Sequence, residues 1–345
     1  KFIEMSRKGR KKLDVLLLTA TPVINSVSEG KAILEMVTSK QFPHVTVSNS
    51  YQNLGHLHAE ISKFSIRHRG LTKKKDIKYK ILEKDVECRS YIRLSPMEKE
   101  IREIGYLGMD LITLDKKLPH IIKQIKKLPK KEKVILHTKF VAGIVPKIHT
   151  ALNQAGISTT SYTGADKKGV LESQGAEFFK TDTQVLVASS AISEGLDKLQ
   201  HVCRNIWFVG HGWTYAEKKQ TIGRVARKGQ TRNVKVINFI GIVNGVNYDE
   251  LVHINRVNRK KDYHDAVLDG IIPEEITFPK KQSWNKVFDQ IIAGENLYPK
   301  LKPKLKQMKA LRKKQRKASK YDIPQETNSM LKRKYKTRKK KGGKK

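Results

Sequence analysis

The sequence predicts a parallel, doubly wound α/β domain flanked by helical segments, and three observations carry that expectation. From Lys133 onward, short apolar runs alternate with helical stretches, strand then helix in turn. The runs are almost continuously apolar, as strands covered on both faces of a parallel sheet are. At 345 residues with 38% hydrophobic content, the chain is long enough for roughly two domains and a sizeable core.

Taken in order, Leu13-Asp-Val-Leu-Leu-Leu-Thr19 reads as a buried parallel strand. Pro22 stops it, which leaves the hydroxyls of Thr19 and Thr21 at a carboxyl end, where open α/β sheets build their sites. So apolar a strand needs neighbours, and the twelve polar and basic residues before it supply none. Between residues 46 and 115 a short strand is expected at Cys88–Leu94. A helix follows from Ser95-Pro96, with Glu98 completing the start signal, and a second covers Leu111–Lys127.

The α/β pattern then runs as strand Val134–His137, helix Ala142–Gly156, strand Ser158–Thr163 and helix Lys168–Lys180. Val185–Ala188, Asn205–Val209 and Val234–Ile240 complete five strands. Residues 246–299 read as helices packing back on this body, with Pro273 and Pro279 as breaks.

The formal charge is +38, and residues 300–345 carry 21 Lys and Arg against two acids, half of that excess. Runs such as Arg338-Lys-Lys-Lys341 bury too little apolar surface to offset chain entropy, so a disordered polycationic arm is expected. Such an arm binds polyanions by releasing counterions, and nucleic acid is the expected partner. Nuclear targeting and simple solubilisation use the same composition. No apolar run is long enough to span a bilayer and no signal-peptide pattern occurs, so no membrane partner is expected. Cys88 and Cys203, far apart, suggest neither a disulfide framework nor a zinc site, and no metal ligands are assigned. These features suit the cell interior, and the basic arm is compatible with a nucleus or another site of DNA metabolism.

Four ordered motifs carry the chemistry: Val134-Ile-Leu-His-Thr138, Tyr162-Thr163-Gly164, Ser189-Ser-Ala-Ile-Ser-Glu-Gly195-Leu196-Asp197, and Gln220-Thr-Ile-Gly223-Arg224-Val-Ala-Arg227. Two arginines three apart on one helical turn can face one phosphate, and an arginine fork neutralises phosphate oxygens bidentately. On spacing alone a solvated charged helix explains them as well. In order and kind, the motifs resemble the second RecA-like lobe of superfamily-two helicases and translocases. Leu18-Thr-Ala-Thr-Pro-Val-Ile-Asn25 resembles the third motif of the Swi/Snf branch. Phe64-Ser-Ile-Arg67-His-Arg69, Leu94-Ser-Pro-Met-Glu-Lys99 and Arg227-Lys-Gly-Gln-Thr231 are similar to further elements of that branch. Two departures weaken the branch assignment. Glu194-Gly-Leu-Asp197 is closer to DEAD-box proteins, and Gly223 stands where Swi/Snf motors usually place Asp.

The resemblance implies that Arg224 and Arg227 reach the γ-phosphate of ATP and that Gln220 senses the nucleotide. It also implies that Gly195 allows close backbone approach and that Asp197 accepts from a ribose hydroxyl. Without the arginines, Gly195 and Asp197 read equally well as a tight turn with a local cap. Thr163, Gly164, Ser189 and Ser190 are implied to hold a nucleic-acid strand by its phosphates, with Lys139 and Arg67 as weaker candidates. Trp213 matches a tryptophan that touches DNA in that branch, although a large aromatic after a strand more often packs. Thr19 and Thr21 would couple the lobes. DNA is preferred as partner, with RNA left open.

The chain lacks the Gly-x-x-x-x-Gly-Lys-Ser/Thr loop and the Asp-Glu pair that cradle phosphates and hold magnesium. Gly30-Lys31 and Asp249-Glu250 do not substitute for them. The expectation is therefore a remnant of the first lobe in 1–45, a connecting segment in 46–115, the second lobe in 116–245, a helical brace in 246–299 and the basic tail in 300–345. ATP and Mg2+ would be the cofactors. A first lobe, in the same longer protein or a separate chain, would carry the phosphate loop and the magnesium ligands, and this chain alone would not hydrolyse ATP. The competing expectation is a non-catalytic nucleic-acid-binding or scaffold protein with a vestigial lobe and a binding tail.

Overall fold

The computed structural model describes residues 15–17, 26–66, 79–165, 175–180, 182–271 and 284–295. Seven strands form one sheet: β1 (Ile81–Ser90), β2 (Lys133–His137), β3 (Thr159–Tyr162), β4 (Val185–Ala188), β5 (Cys203–Phe208), β6 (Val234–Val243) and β7 (Val246–Asn247). Their order is β1-β6-β5-β2-β4-β3, every neighbouring pair is parallel, and β7 pairs antiparallel with β6. The helices are α1 (Val27–Thr38), α2 (Tyr51–Phe64), α3 (Glu98–Ile104), α4 (Tyr106–Ile125), α5 (Ile144–Gln154), α6 (175–180), α7 (Ala191–Glu194) and α8 (Leu199–Val202). They continue as α9 (Tyr215–Gly223), α10 (Asn255–Asp269) and α11 (Trp284–Glu295).

Strand residues alternate between two cores, as a period of two requires. Val134, Leu136, Val187 and Trp207 face α4 and α5, whereas Ile135, Leu186, Ile206 and Phe208 face Phe178, Ile192, Leu199 and Val225. Helices therefore cover both faces, and the doubly wound expectation holds. A third cluster joins α1 and α2 to α10 through Leu54, Leu57, Tyr263 and Val267. A fourth packs Phe288 and Ile291 of α11 against Ile101, Met109 and Tyr248.

The sheet is wider than the five strands visible in the sequence. β1 lies in register with β6 from Ile81↔Val234 to Ser90↔Val243, earlier in the chain than the expected Cys88–Leu94 strand. It is an edge strand with its first five side chains exposed, so no apolar period marks it. The Ser95 start is a 3-10 turn, Ser95–Met97, leading into α3, and α4 begins at Tyr106, before the expected Leu111. The helical reading of 246–299 misses a hairpin. Asn244 and Gly245 adopt φ of 52° and 83°, the two left-handed residues that a tight two-residue turn between β6 and β7 needs.

The early strand is corrected too. Val15–Leu17 belong to no strand, and Leu16 is 85% exposed, because neither sheet edge takes this segment as a partner. Thr19, Thr21, Arg67, Arg69, the Lys168 end of its helix, Pro273, Pro279 and the tail lie outside the described residues.

Candidate functional site

The arginine-bearing segment is built from a capped helix and a stapled turn. Thr214 Oγ1 accepts from the Glu217 amide at 3.1 Å, a Thr-x-x-Glu start for α9. Burial opposes ionisation of Glu217, but His137, Lys139 and the Trp213 amide hold its carboxylate below the usual range. The helix ends at Gly223, so Arg224 and Arg227 project from the turn that follows, not from one helical turn as expected. Gln230, buried beyond them, staples this turn. Its amide donates to Cys203 O at 3.1 Å and Val225 O at 3.3 Å, and its Oε1 accepts from the amides of Thr231 and Arg232. Gly229, at φ 97°, closes the turn against His201.

Asp197 brings the arginines together. Its Oδ1 lies 3.1 Å from Arg224 Nη1 and 3.2 Å from Arg227 Nη1. The Arg224 side chain is 19% exposed and Arg227 44%, so the first is anchored and the second opens to solvent. Arg224 is fixed further by donating from Nε and Nη2 to Ser193 O. Asp197 stands between Leu196 and Lys198, at φ 56° and 67°; two non-glycine residues in the left-handed region store backbone strain there. Gly195 lies close under a neighbour: a Cβ on it would overlap Tyr162 Oη, so one of the two would have to shift. Gly223 has no such neighbour, since nothing lies within 4 Å of a Cβ built on it.

The ends of β3 and β4 converge as the motifs imply. Ser189 Oγ accepts from the Gly164 amide at 3.2 Å and the Ala191 amide at 3.4 Å, while the Ser189 amide donates to Tyr162 O. Thr163 and Ser189 are buried, at 2% and 3% exposure, so Gly164 and Ser190 form the accessible surface. That differs from a surface of four presented groups, because both hydroxyl-bearing side chains point into the fold. Ser193 Oγ donates to Ser190 O at 2.6 Å, and Ser193 O receives Arg224. Hydrogen bonds, with the Ser189–Ser190 peptide link between them, thus join Gly164, Ser189, Ser190, Ser193, Arg224, Asp197 and Arg227. Gln220 is exposed on α9, its carbonyl accepting from the Arg224 amide.

Trp213 is half-buried. Its ring centroid is 5.4 Å from Tyr106, 5.1 Å from His253, 4.2 Å from Arg256 Cζ and 2.8 Å from Lys139 Nζ. Lys139 is therefore folded onto the ring and not extended to solvent as a phosphate contact would be. Nearby, Lys117 Nζ meets Asp249 Oδ2 at 2.7 Å, both almost fully buried, and donates to Val209 O. Asp249 also accepts from the Gly241 amide, so the pair ties α4 to the ends of β5 and β6. No sequence pattern marks this network, and Gln230 and Tyr162 stand in motifs that assign them no role. The Arg-x-Gly-Gln-Thr likeness was the available signal for Gln230. No cluster of three or more His, Cys, Asp or Glu side chains able to hold a metal ion occurs among the described residues.

Residues 116–229 match the model of the helicase conserved C-terminal domain, a segment that contains β2 to β5, α9 and both arginines. An uncharacterized ATP-dependent helicase, YqhH of Bacillus subtilis strain 168, is 32% identical over 128 residues, 37% of this chain and 22% of that protein. The chain thus spans under a quarter of that relative. Among solved structures, domain 2 of the Mss116p DEAD-box helicase, bound to an RNA duplex, aligns with 16% identity and a TM-score of 0.38, over 62% of this chain and 69% of that one. The C-terminal part of the Fun30 ATPase domain aligns with 11% identity and a TM-score of 0.36, over 79% and 96%. Residues 116–229 are accordingly similar to a helicase C-terminal lobe. No helix among the described residues is long and apolar enough to cross a membrane.

Proposed function

We propose that this chain supplies the second motor lobe of an ATP-dependent nucleic-acid helicase or double-strand DNA translocase. The observation that carries the reading is the single carboxylate oxygen of Asp197 held by both Arg224 and Arg227. Two guanidiniums that converge on one anionic oxygen form a clamp for a phosphate, and arginine supplied across an ATP site is worth about 10³ to 10⁵ in rate. The residues present fit a nucleotide phosphate on this ground. Bound ATP with Mg2+ supplies the phosphoanhydride whose cleavage drives movement.

Arg224 and Arg227 orient and neutralise the γ-phosphate, and Asp197 is exposed enough to turn from the arginines to a ribose hydroxyl. Gln220 stands on α9, directly before the turn that bears the arginines, to sense occupancy. Gly164 and Ser190 present exposed backbone to one nucleic-acid strand, contacts that position without reading sequence. The path through Ser193 gives these two surfaces a shared frame. The phosphate loop and the magnesium ligands are supplied by a first lobe, in the same protein or a partner chain, and Thr19 and Thr21 belong to the coupling between lobes. DNA is the preferred track.

DNA-stimulated phosphate release tests this, measured for the chain alone and with a first lobe. Activity that appears with the first lobe is expected. Robust hydrolysis by the lone chain defeats the reading. The competing role, a scaffold whose basic tail does the binding, gains if deletion of residues 300–345 removes all nucleic-acid binding and no ATP-competent lobe restores any.

A further inference from the structure

α9 has few apolar anchors for a helix that leads into the arginine turn. Of its nine residues only Ala216 and Thr221 are buried, and Ile222 packs partly against the core. Its first turn instead presents two adjacent charges of opposite sign, and each meets the sheet. Glu217 lies against the last residue of β2: His137 Nε2 approaches its Oε1 at 3.6 Å, with the His137 side chain 1% exposed. Neither ring nitrogen of His137 has a hydrogen-bond partner, so the carboxylate is the polar group that this buried imidazole faces. Burial opposes the charge on Glu217, and His137 leads the groups that outweigh it. Gly212 makes room for the carboxylate, since a Cβ there would lie 2.5 Å from Glu217 Oε2. Lys218 reaches the edge strand instead. Its Nζ meets Glu83 Oε1 at 2.6 Å, and Asn238 Nδ2 of neighbouring β6 donates to the same oxygen at 2.8 Å.

The Arg224 amide donates back to the carbonyls of Gln220 and Thr221, so the arginine turn follows wherever the helix is set. We propose that His137 and Glu83 are positioning residues for the arginine clamp, fixing the placement of Arg224 and Arg227 through Glu217 and Lys218. This role rests on the motor reading, in which the clamp meets the γ-phosphate. The Thr214–Glu217 cap accounts for the start of α9 but not for the imidazole buried against the carboxylate. The Lys218–Glu83 pair, 26% and 43% exposed, adds little stability, and its effect lies in direction. Glu83 belongs to β1, outside the segment that matches the helicase domain model, so a strand flanking that domain takes part in aiming the arginines.

The test follows amide hydrogen exchange in the full chain. His137→Phe keeps an aromatic ring against Phe208 and leaves the Thr214–Glu217 cap in place. It also removes two buried ring nitrogens that have no partner, so the thermal midpoint should hold or rise. Exchange across 220–230 should nevertheless quicken about three- to tenfold, with β4 and β6 unchanged. Glu83→Gln and Lys218→Met should each quicken the same segment about two- to fivefold, and the double variant no more than either single. In an assembly with a first lobe, His137→Phe should lower kcat about ten- to a hundredfold and leave KM within about twofold. Unchanged exchange at 220–230 in the folded His137→Phe variant overturns the positioning role. So does a lowered midpoint with exchange quickened evenly over the lobe, which would make His137 a core residue only. Additive effects of Glu83→Gln and Lys218→Met, or none, overturn the second anchor. Quickened exchange with kcat unchanged overturns the link to turnover. The motor reading fails separately: no turnover by the unaltered chain with a first lobe sinks it, while exchange at 220–230 still decides whether these residues place the turn.

Discussion

Asp197 Oδ1 accepts from Arg224 Nη1 at 3.1 Å and from Arg227 Nη1 at 3.2 Å, so one oxygen sets the spacing of both guanidiniums. Because Asp197 is 73% exposed, the pairing contributes less than about 1 kcal/mol to stability. Its role lies in geometry. Asp197→Ala should leave the urea midpoint almost unchanged and, in an assembly with a first lobe, reduce ATP turnover. Arg227→Ala should retain nucleic-acid binding and lose turnover by about 10³-fold or more. Turnover that survives the loss of Arg227 would show the finger assignment to be wrong.

Lys117 and Asp249 make a different kind of pair, 3% and 1% exposed. Removing one partner leaves a charge stranded in the core, which costs about 3–5 kcal/mol. Lys117→Met should therefore lower the denaturation midpoint sharply. Lys117→Met/Asp249→Asn should recover part of the loss, because the amide keeps a carbonyl oxygen for the Gly241 amide. A double variant no better than the single would deny the pairing.

His211 ties stability to pH. Burial, outweighing Asp249, pushes its imidazole down to about 3 from an ordinary value near 6.5. The unfolded chain binds a proton below pH 6.5 that the folded chain refuses until about pH 3. The contribution is thus complete above 6.5 and is lost as pH falls through that window. Denaturant midpoints measured from pH 7.5 to 4 should decline, and His211→Asn should flatten the slope. An equal slope in both proteins would assign the acid lability to other groups.

The sequence makes the parallel strands legible because Val134–His137 and Val185–Ala188 are buried on both faces and almost wholly apolar. β1 escapes because an edge strand carries charges, and β7 because two residues give no period, although Asn244-Gly245 marks the turn. Within the site, Arg224, Arg227 and Asp197 are legible as motif positions, yet their shared oxygen depends on two left-handed residues that no spacing rule announces. Tyr162 and Gln230 are legible only as motif members, for the same reason: their work is done by contacts made across the fold.

The two motif glycines should behave oppositely. Gly195 has no room for a methyl group, since its Cβ would overlap Tyr162 Oη. Tyr162 closes β3 directly before Thr163 and Gly164, so Gly195→Ala must displace either the tyrosine or the segment bearing Asp197. It should lose stability by about 1–3 kcal/mol, as overpacking does, and impair turnover with a first lobe. Gly223, at the end of α9, has open space and no left-handed φ. Gly223→Ala should be neutral or stabilising by about 0.4–1 kcal/mol through the unfolded chain. Preserved turnover in the Gly223→Ala variant, alongside impaired turnover in the Gly195→Ala variant, would separate the glycine that shapes the arginine site from the one that merely precedes it. Tyr162→Phe in the Gly195→Ala background supplies the final check: removing the hydroxyl should restore part of both losses, and no restoration would mean that the clash lies elsewhere.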